Sequence, residues 1–368
     1  LESLEWPNAR YTMVFGSNVI QTRLPDAQHL LRAKKNGRLV VFDPDYCSTS
    51  AKADEWVSLK VDTDAAMGLG LAKVIIDRKL YEAEFLRDFT DMPILVRRDT
   101  GKRLLATEVD ALAAEAGPWK IPEYRNLFVI HTLKGFAILN PESLQPTGAD
   151  LEGEYSVELT DGRQVQVRPV FSALKEVLQD YRLDKVSAIT GVPAAQIERL
   201  AIEAATHKPV HVIYGASNYQ WYHGDLKGRA LSLIPVLTGS IGQSGGGIST
   251  YAGQYRIRFD LSKWWSPPGG KLNWVPYLYF LQGGGKRYPK NGIKAMVGGW
   301  GNPFDQHNMA NRLKDRAASG DIEFVATFDF QMTTSCQWSD VVFPATSWYE
   351  NYELTATILH PYLQLQQP

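Results

Sequence analysis

The chain has 368 residues, of which 44% are hydrophobic and 21% are charged, and its formal net charge is −1. This composition is typical of a globular protein with two or three domains, and the near-neutral charge gives no electrostatic reason to expect nucleic acid or an anionic membrane as a partner. No apolar run in the sequence approaches the length of a membrane span. Cys47 and Cys336 are too few and too far apart to form a metal or iron–sulfur motif within this sequence.

Strands and helices alternate in the first part of the chain. Apolar runs predict strands at 11–15, 38–42 and 56–60, with helices near 25–35 and 65–80. Glycine or polar residues follow the strands: Gly16, Ser17, Asn18, Asp43, Asp45, Asp62 and Asp64. Because ligands bind beyond the carboxyl ends of parallel strands, this order indicates a mononucleotide-binding half of Rossmann type.

A nicotinamide-dinucleotide site is disfavoured in this half. The segment Gly16-Ser-Asn-Val-Ile-Gln lacks the second and third glycines that let a pyrophosphate approach the start of the helix. A different nucleotide stays possible. Taken alone, a single glycine such as Gly16 favours an ordinary tight turn over a nucleotide site.

Between residues 81 and 206 the pattern is weaker. Asp161-Gly162 lies between two alternating segments and predicts a β-hairpin, and residues 186–206 predict a pair of helices. We interpret this part as scaffold, in which His131 and His207 are structural or surface residues.

A second strand with the same ending begins at residue 210. Val210-His-Val-Ile-Tyr214 leads into a glycine followed by a serine and an asparagine, as does the strand before Gly16. The likeness predicts a second mononucleotide-binding half and two similar ligands. The residues that follow and carry candidate roles are Gly215, Ser217, Asn218, Trp221 and His223.

A glycine-rich loop comes next, at residues 242–247. Its backbone N–H groups could bind phosphate, with Gly242, Gln243 and Ser244 as the candidates, whereas the alternative interpretation is a flexible linker. Residues 264–288 are rich in aromatic side chains, which we interpret as a loop that lines an access funnel, with Trp274 as the candidate. Binding of nucleic acid by these aromatics is disfavoured by the net charge.

Near the C-terminal end, two apolar strands at 324–328 and 341–343 flank a hydroxyl-rich turn. Polar residues at the ends of these strands would converge on one crevice of a parallel sheet, although two core strands joined by an ordinary turn would show the same pattern. The residues of this crevice would be Asp329, Thr333, Thr334, Ser335 and Thr346, and Asn302 and Asp340 are further candidates in the same part of the chain.

The ordered set of motifs resembles the molybdenum bis(guanine-dinucleotide) oxidoreductases of the dimethyl-sulfoxide-reductase superfamily, and within it the type II branch of respiratory nitrate reductases and nitrite oxidoreductases. The motifs are Gly16-Ser-Asn18 with Thr22-Arg-Leu-Pro-Asp26, Asp43-Pro-Asp-Tyr46, Asp62-Thr-Asp64, Trp221-Tyr-His223, Gly242-Gln-Ser-Gly-Gly-Gly247 with Tyr251-Ala-Gly-Gln254, Asn302-Pro303, and Asp340 to Glu350 with His360-Pro361.

The resemblance implies an α/β fold with two Rossmann-like, doubly wound and mainly parallel dinucleotide-binding domains. We expect the first at residues 1–130, a connecting α+β segment at 131–206, and the second at 207–368 with the aromatic funnel loop at 261–290. Each domain would bind one pterin guanine dinucleotide.

The resemblance also implies roles for individual residues. Asp43 and either Asp62 or Asp64 would bind one guanine and its ribose, and Asn302 and Asp329 would bind the other. Phosphates and pterins would be lined by Gly16, Ser17, Asn18, Gly215, Ser217, Asn218, Gln243 and Ser244. Thr346, Trp348 and Glu350 would close over a pterin, while His360 departs from the glycine-containing turn of many relatives.

For the whole protein, the resemblance implies oxygen-atom transfer to or from a small oxyanion. The preferred candidates are nitrate reduction and nitrite oxidation. The alternatives are perchlorate, chlorate or selenate reduction and hydroxylation of a hydrocarbon such as ethylbenzene. From the two ends of the sequence we expect an internal segment of a longer polypeptide, so the aspartate ligand of molybdenum and a [4Fe-4S] cluster would precede it. This segment alone should therefore not sustain catalysis.

The expected partners are an iron–sulfur beta subunit and a haem or membrane-anchor subunit. The protein would be prokaryotic, and the sequence leaves open whether it faces the periplasm or the cytoplasm. Two other classes stay open at this point. They are a nicotinamide-dependent dehydrogenase and a non-catalytic paralogue that keeps the fold, although Asp43, Asp64, Asp329 and Thr346 are retained.

Overall fold

A computed structural model describes residues 3–109, 112, 127–139, 148–216, 221–250, 293–299, 301–307, 310–356 and 363–368. The chain divides into two compact units, Leu1–Gly253 and Gln254–Pro368, which we describe in turn. Across the described ranges, every helix is too short or too polar to cross a membrane.

Unit 1 contains ten described strands and eight described α-helices. The strands are β1 (Tyr11–Phe15), β2 (Arg38–Phe42), β3 (Glu55–Val57), β4 (Leu95–Arg97), β5 (Val129–Thr132), β6 (Gly135–Ile138), β7 (Tyr155–Glu158), β8 (Gln164–Pro169), β9 (Val210–Tyr214) and β10 (Gly247–Thr250). The helices are α1 (Val19–Thr22), α2 (Leu24–Asn36), α3 (Asp64–Asp77), α4 (Ala83–Phe89), α5 (Val170–Leu178), α6 (Leu183–Thr190), α7 (Ala194–Thr206) and α8 (Gly224–Leu237).

Five parallel strands form the central sheet, in the order β10-β9-β1-β2-β3. In register, Tyr11 of β1 is the partner of Arg38 on one side and of Val210 on the other. From β1 the chain proceeds outward through β2 and β3, and it later returns to the other side of β1 with β9 and β10. The strand order therefore reverses between β1 and β9, which makes this position a topological switch point.

The position of β9 corrects one sequence-based expectation. The strand at 210–214 was expected to open a second domain at residue 207, but it is the direct neighbour of β1 in the sheet of unit 1. The division between the two units follows Gly253 instead. The two similar strand endings are therefore adjacent in space.

Both faces of this sheet are covered, as near-continuous apolar strands predict. Successive residues of β1 point to opposite faces of the sheet. Met13 and Phe15 lie in the larger core with α3, α7 and α8, whereas Val14 packs with Leu30 of α2 and with Trp6. Helices α3 and α8 approach closely at Gly68, where an added Cβ would lie 3.0 Å from the backbone carbon of Ala230.

Antiparallel structure occupies the middle of unit 1. Strands β4, β8 and β7 form a three-stranded sheet, and β5 pairs with β6. The predicted hairpin at Asp161-Gly162 is confirmed, since β7 and β8 pair across it and Gly162 has a φ of 81°. The predicted helix pair is confirmed as α6 and α7, separated by Gly191 with a φ of 78°.

Unit 2 contains a second parallel sheet. Its described elements are β11 (Ala295–Gly299), α9 (Pro303–Gln306), α10 (Ala310–Ala318), β12 (Phe324–Asp329), α11 (Thr334–Gln337), β13 (Val341–Pro344), β14 (Glu353–Ala356) and β15 (Leu363–Gln366). Strands β11, β12 and β13 are parallel in that order, and β14 pairs antiparallel with β15. Buried Phe304, Leu313 and Val325 form its core. The predicted α/β class with parallel sheets is confirmed.

Candidate functional site

The turns after β1 and β9 lie side by side at the carboxyl edge of the central sheet. Gly215 N donates to Phe15 O at 2.9 Å, and Gly16 N donates to Phe42 O at 3.3 Å. A Cβ added to Gly215 would lie 2.1 Å from Gly16 O, so only glycine permits this approach. The two turns therefore meet at the topological switch point, where the ligand-binding crevice of an open parallel sheet lies, and we call this position the switch-point crevice.

Asn18 fixes the loop that leads away from this crevice. Its Oδ1 accepts from Thr49 N at 3.3 Å and from Thr49 Oγ1 at 2.9 Å, and its Nδ2 donates to Gln21 Oε1 at 2.9 Å. Thr49 is fully buried and its Oγ1 accepts from Ile20 N at 3.1 Å. Asn18 thus joins the loops after β1 and β2, while Ser17 is buried beside it.

The carboxylates of the loop after β2 lie at the same edge. Asp43 Oδ1 accepts from Asp45 N at 3.0 Å, and Asp43 O accepts from Trp56 Nε1 at 2.9 Å. Burial raises the pKa of the Asp43 carboxyl group. Asp45 is exposed, so of these two carboxylates only Asp43 is held in a partly buried position.

Asp62 and Asp64 contact a buried lysine that the sequence analysis did not single out. Lys227, in the first turns of α8, forms ion pairs with Asp62 Oδ1 and, at 3.7 Å, with Asp64 Oδ2. Its side chain is almost fully buried, whereas Asp62 is partly open to solvent. No sequence pattern indicated a role for Lys227, because only the packing of α3 against α8 brings this lysine to the acidic residues.

The electrostatics of Asp64 show how close these groups are. Burial is the largest effect and raises the pKa of Asp64, while the Lys227 ammonium lowers it. The carboxylates of Asp62 and Asp43 raise it further. Asp43, Asp62, Asp64 and Lys227 therefore form one electrostatically coupled group, which we call the carboxyl-edge cluster.

Two predicted residues border this cluster at the start of α8. The Lys227 ammonium lies 5.5 Å from the centroid of the Trp221 ring, which is half-exposed. His223 precedes α8 with a left-handed φ of 59°. Ser217 and Asn218 lie outside the described residues, as do Trp274 and His360.

The glycine-rich loop is not part of the cluster. Residues 242–246 precede β10, and Ser244 Oγ accepts from Asn8 Nδ2 at 2.9 Å, where Asn8 precedes β1. Gln243 Nε2 donates to Gly239 O at 2.8 Å. Gly242, Gln243 and Ser244 therefore lie at the amino edge of the sheet, where they line a separate cavity of about 380 Å³. Their predicted contact with the phosphates and pterins of the cofactor stays a prediction.

In unit 2, Asn302 and Ser335 are brought together at the carboxyl edge of β11 and β12. Asn302 Oδ1 accepts from Ser335 N and from Ser335 Oγ, both at 2.8 Å, and Phe304 N donates to Ser335 Oγ at 3.2 Å. A cavity of about 160 Å³ lies beside them, lined by Gly298, Gly299 and His307 among others. Asn302 therefore holds the wall of this cavity, and His307 is a lining residue that sequence reasoning missed.

The other candidates in unit 2 divide between the two edges of its sheet. Asp329 ends β12 and accepts from Gln331 N at 3.2 Å, while Thr333 caps α11 by accepting from Cys336 N at 3.4 Å. Asp340 Oδ2 accepts from Val325 N at 2.8 Å at the amino end of β12, so it lies away from the carboxyl edge. The predicted role of Asp340 in cofactor binding stays a prediction.

The residues after β13 make local hydrogen bonds. Thr346 Oγ1 donates to Asn351 Oδ1 at 2.7 Å, and Glu350 Oε2 accepts from Ser347 N at 2.7 Å. This backbone hydrogen bond lowers the pKa of Glu350. Trp348 is two-thirds exposed and packs at its edge against Phe330. Among the residues that the structure describes, no three His, Cys, Asp or Glu side chains are grouped so as to bind a metal ion.

Comparison with known proteins agrees with this architecture. A family model described as molybdopterin oxidoreductase matches residues 2–367. The perchlorate reductase alpha subunit of Dechloromonas aromatica is 31% identical, over 100% of this chain and 45% of that protein. The respiratory nitrate reductase alpha subunit of Haloferax mediterranei is 33% identical, over 98% of this chain and 41% of that protein.

Among solved structures, acetylene hydratase from Pelobacter acetylenicus matches with a TM-score of 0.57 and 18% sequence identity. The match covers 98% of this chain and 44% of that one, and it supports the fold alone. The chain thus spans less than half the length of these relatives.

Proposed function

The chain belongs to the molybdopterin oxidoreductase family, and we propose that within the whole protein it binds the two guanine-dinucleotide arms of a molybdenum–pterin cofactor. The observation that carries this proposal is the switch-point crevice of unit 1, where Gly16 and Gly215 meet beside the carboxyl-edge cluster. Ligands of open parallel sheets bind at such points.

The residues present fit this cofactor. Guanine carries N–H donors at N1 and at its 2-amino group, and ribose carries hydroxyl donors, so ionised carboxylates at Asp43, Asp62 and Asp64 suit them as acceptors. The lack of a side chain at Gly215 lets the turns after β1 and β9 come into contact at the crevice. The cavity of unit 2, which is lined by Gly298, Gly299 and Ser335, would receive the second arm.

When bound, the molybdenum centre supplies two-electron oxygen-atom transfer. The role of this chain would be to hold the cofactor in place and to orient it. For the whole protein we propose a small oxyanion as substrate. Nitrate reduction or nitrite oxidation is the preferred reaction, and perchlorate, chlorate or selenate reduction is the alternative. The named relatives include both a nitrate and a perchlorate reductase subunit. Electrons would pass through a [4Fe-4S] cluster to an iron–sulfur beta subunit.

Replacement of Gly215 tests the binding role. In the full-length protein, Gly215→Ala would force a methyl group to within 2.1 Å of Gly16 O, so the crevice must open or distort. We expect molybdenum and released GMP, measured per polypeptide by elemental analysis and chromatography, to fall together by about tenfold or more.

Gly162→Ala is the control, because it has a positive φ of 81° but its added Cβ would meet no atom within 4 Å. This variant adds a methyl group without a clash, together with a left-handed backbone strain that Gly215→Ala does not have, and it should keep its full cofactor content. Equal cofactor content in Gly215→Ala and in the wild type would refute the proposed site. Wild-type protein without molybdenum or guanine nucleotide would favour the non-catalytic paralogue instead.

A further inference from the structure

Lys227 is the residue of the carboxyl-edge cluster whose burial needs explaining. Its side chain is 4% exposed, and its ammonium forms no hydrogen bond of acceptable geometry with the described residues. Burial of a lysine is costly unless the charge is compensated. Here compensation comes from ion pairs with Asp62 and Asp64, which lie in the loop before α3 and at its first turn.

The two carboxylates are used differently. Asp64 is buried with Lys227 and its side chain is only 10% exposed, whereas the side chain of Asp62 is 43% exposed. Lys227 contacts Oδ1 of Asp62, and each carboxylate oxygen has two lone pairs. Asp62 therefore keeps acceptor sites that point away from the ammonium and are open to a ligand.

The backbone at this position is also constrained. Asp62 has a φ of 68°, in the left-handed region that residues with a side chain rarely adopt. A residue keeps such a conformation where several surrounding contacts fix it, and residues of this kind cluster at ligand-binding positions. The ion pair with Lys227 supplies such a contact, because it holds the Asp62 side chain against α8, the helix that follows β9.

We propose that Lys227 is a specificity-determining positioning residue, which holds Asp62 as an acceptor-only carboxylate and so makes the site of unit 1 select guanine over adenine. This inference rests on the proposed function, namely that the site binds a nucleotide arm. Guanine presents N1–H and a 2-amino group side by side, and both can donate to one carboxylate. Adenine presents an unprotonated N1 and no 2-amino group, so the same carboxylate would face an acceptor.

Nucleotide binding to the full-length protein, purified without cofactor from cells blocked in pterin synthesis, tests this inference. GMP, IMP and AMP are titrated by calorimetry. For the wild type we expect the order GMP, IMP, AMP, since inosine lacks only the 2-amino group. In Lys227→Met, which keeps the apolar stem without the charge, the preference for GMP over AMP should fall by about 10- to 100-fold. Lys227→Arg should restore most of it.

Asp62→Asn should abolish the preference as well, because an amide presents a donor to the base. Lys73→Met is the matched control: Lys73 is another buried lysine of unit 1, paired with Asp77 at 2.8 Å, and it does not contact the cluster. This variant should keep the wild-type preference.

Lys227→Met protein that loses thermal stability but keeps the GMP-to-AMP ratio of the wild type would show a purely structural role and would overturn the inference. Wild-type protein that binds GMP and AMP equally would instead refute guanine binding at this site, and the role of Lys227 with it. A GMP preference that is unchanged in Asp62→Asn would place recognition at another residue and would also contradict the inference.

Discussion

At the scale of single residues, His211 of β9 shows how burial decides a charge state. Its side chain is fully buried, its Nε2 lies 2.9 Å from Ser249 Oγ, and Ser249 Oγ accepts from Trp6 Nε1 at 3.0 Å. In the part of the chain that the structure describes, Nδ1 of His211 has no hydrogen-bond partner. Burial lowers the pKa of His211 to about 3, so the ring is neutral near pH 7.

This shift predicts a defined pH dependence of stability. Histidine in an unfolded chain has a pKa of about 6.5. Below that pH the unfolded chain binds a proton that folded His211 does not, so the free energy of unfolding should fall as pH decreases from about 6.5 to about 3. The slope from this one group approaches about 1.4 kcal/mol per pH unit.

Thermal unfolding of the full-length protein between pH 3.5 and 7.5 measures this contribution. His211→Gln should be less stable at neutral pH but should show a shallower loss of stability on acidification. His207→Gln, at an exposed histidine, should retain the wild-type dependence. The same slope in wild type and His211→Gln would contradict the assignment.

At the scale of secondary-structure elements, Asn302 and Ser335 connect two helix starts in unit 2. Asn302 precedes α9, and Ser335 lies in the first turn of α11. Both acceptor bonds of Asn302 Oδ1 are made to Ser335, which is buried. These residue types were predicted as ligand contacts. In the structure their side chains bond to each other beside the cavity that a ligand would enter, and their contact with a ligand stays a prediction.

Removal of this acceptor should loosen both helix starts together. For Asn302→Ala we expect a local loss of about 1–3 kcal/mol, since the buried hydroxyl and N–H of Ser335 would lose their acceptor. Hydrogen–deuterium exchange of peptides over 301–307 and 333–338 should then be faster in both segments. Asn302→Asp keeps an acceptor oxygen and should exchange at nearly the wild-type rate. Faster exchange in one segment only would show that the two helices are not coupled.

Element types were largely predictable from the sequence because their signals are local. The strand before Gly16, the hairpin at Asp161-Gly162 and the break at Gly191 follow from apolar runs and turn residues. The pairing of β9 with β1 was not predictable in this way, since no local pattern at 210–214 indicates which strand will be its neighbour. Similar endings were therefore interpreted as two domains.

The site was predictable in composition and less so in arrangement. The acidic residues after β2 and β3 were found because they follow strands, but Lys227 belongs to a helix whose packing on α3 is a tertiary property. The amino-edge position of Ser244 could have been inferred, because its loop precedes an apolar strand rather than following one. Asp340 likewise precedes β13.

At the scale of the whole molecule, the chain spans less than half of the relatives that it matches, and the proposed activity is that of the whole protein. We expect no turnover from residues 1–368 alone, even after reconstitution with cofactor. The full-length complex should reduce an oxyanion in assays with reduced viologen and nitrate, chlorate, perchlorate or selenate.

Nitrite oxidation and ethylbenzene hydroxylation, assayed with an artificial electron acceptor, complete this comparison. Activity confined to ethylbenzene would refute the oxyanion assignment, and a preference for perchlorate over nitrate would favour the alternative substrate. Turnover by the 368-residue chain would refute the expectation that essential parts lie elsewhere.

The order of strands in unit 1 has a consequence for biosynthesis. β1 lies in the middle of the sheet, yet its partner β9 leaves the ribosome about 200 residues later. Until then, one edge of β1 has no partner, and an unpaired edge strand invites association with other chains. The switch-point crevice also needs Gly215 beside Gly16, so the nascent chain cannot form it before β9 pairs with β1. Loading of the cofactor that we propose for this crevice would therefore follow synthesis of residue 215, and translation products that stop earlier would be prone to aggregation.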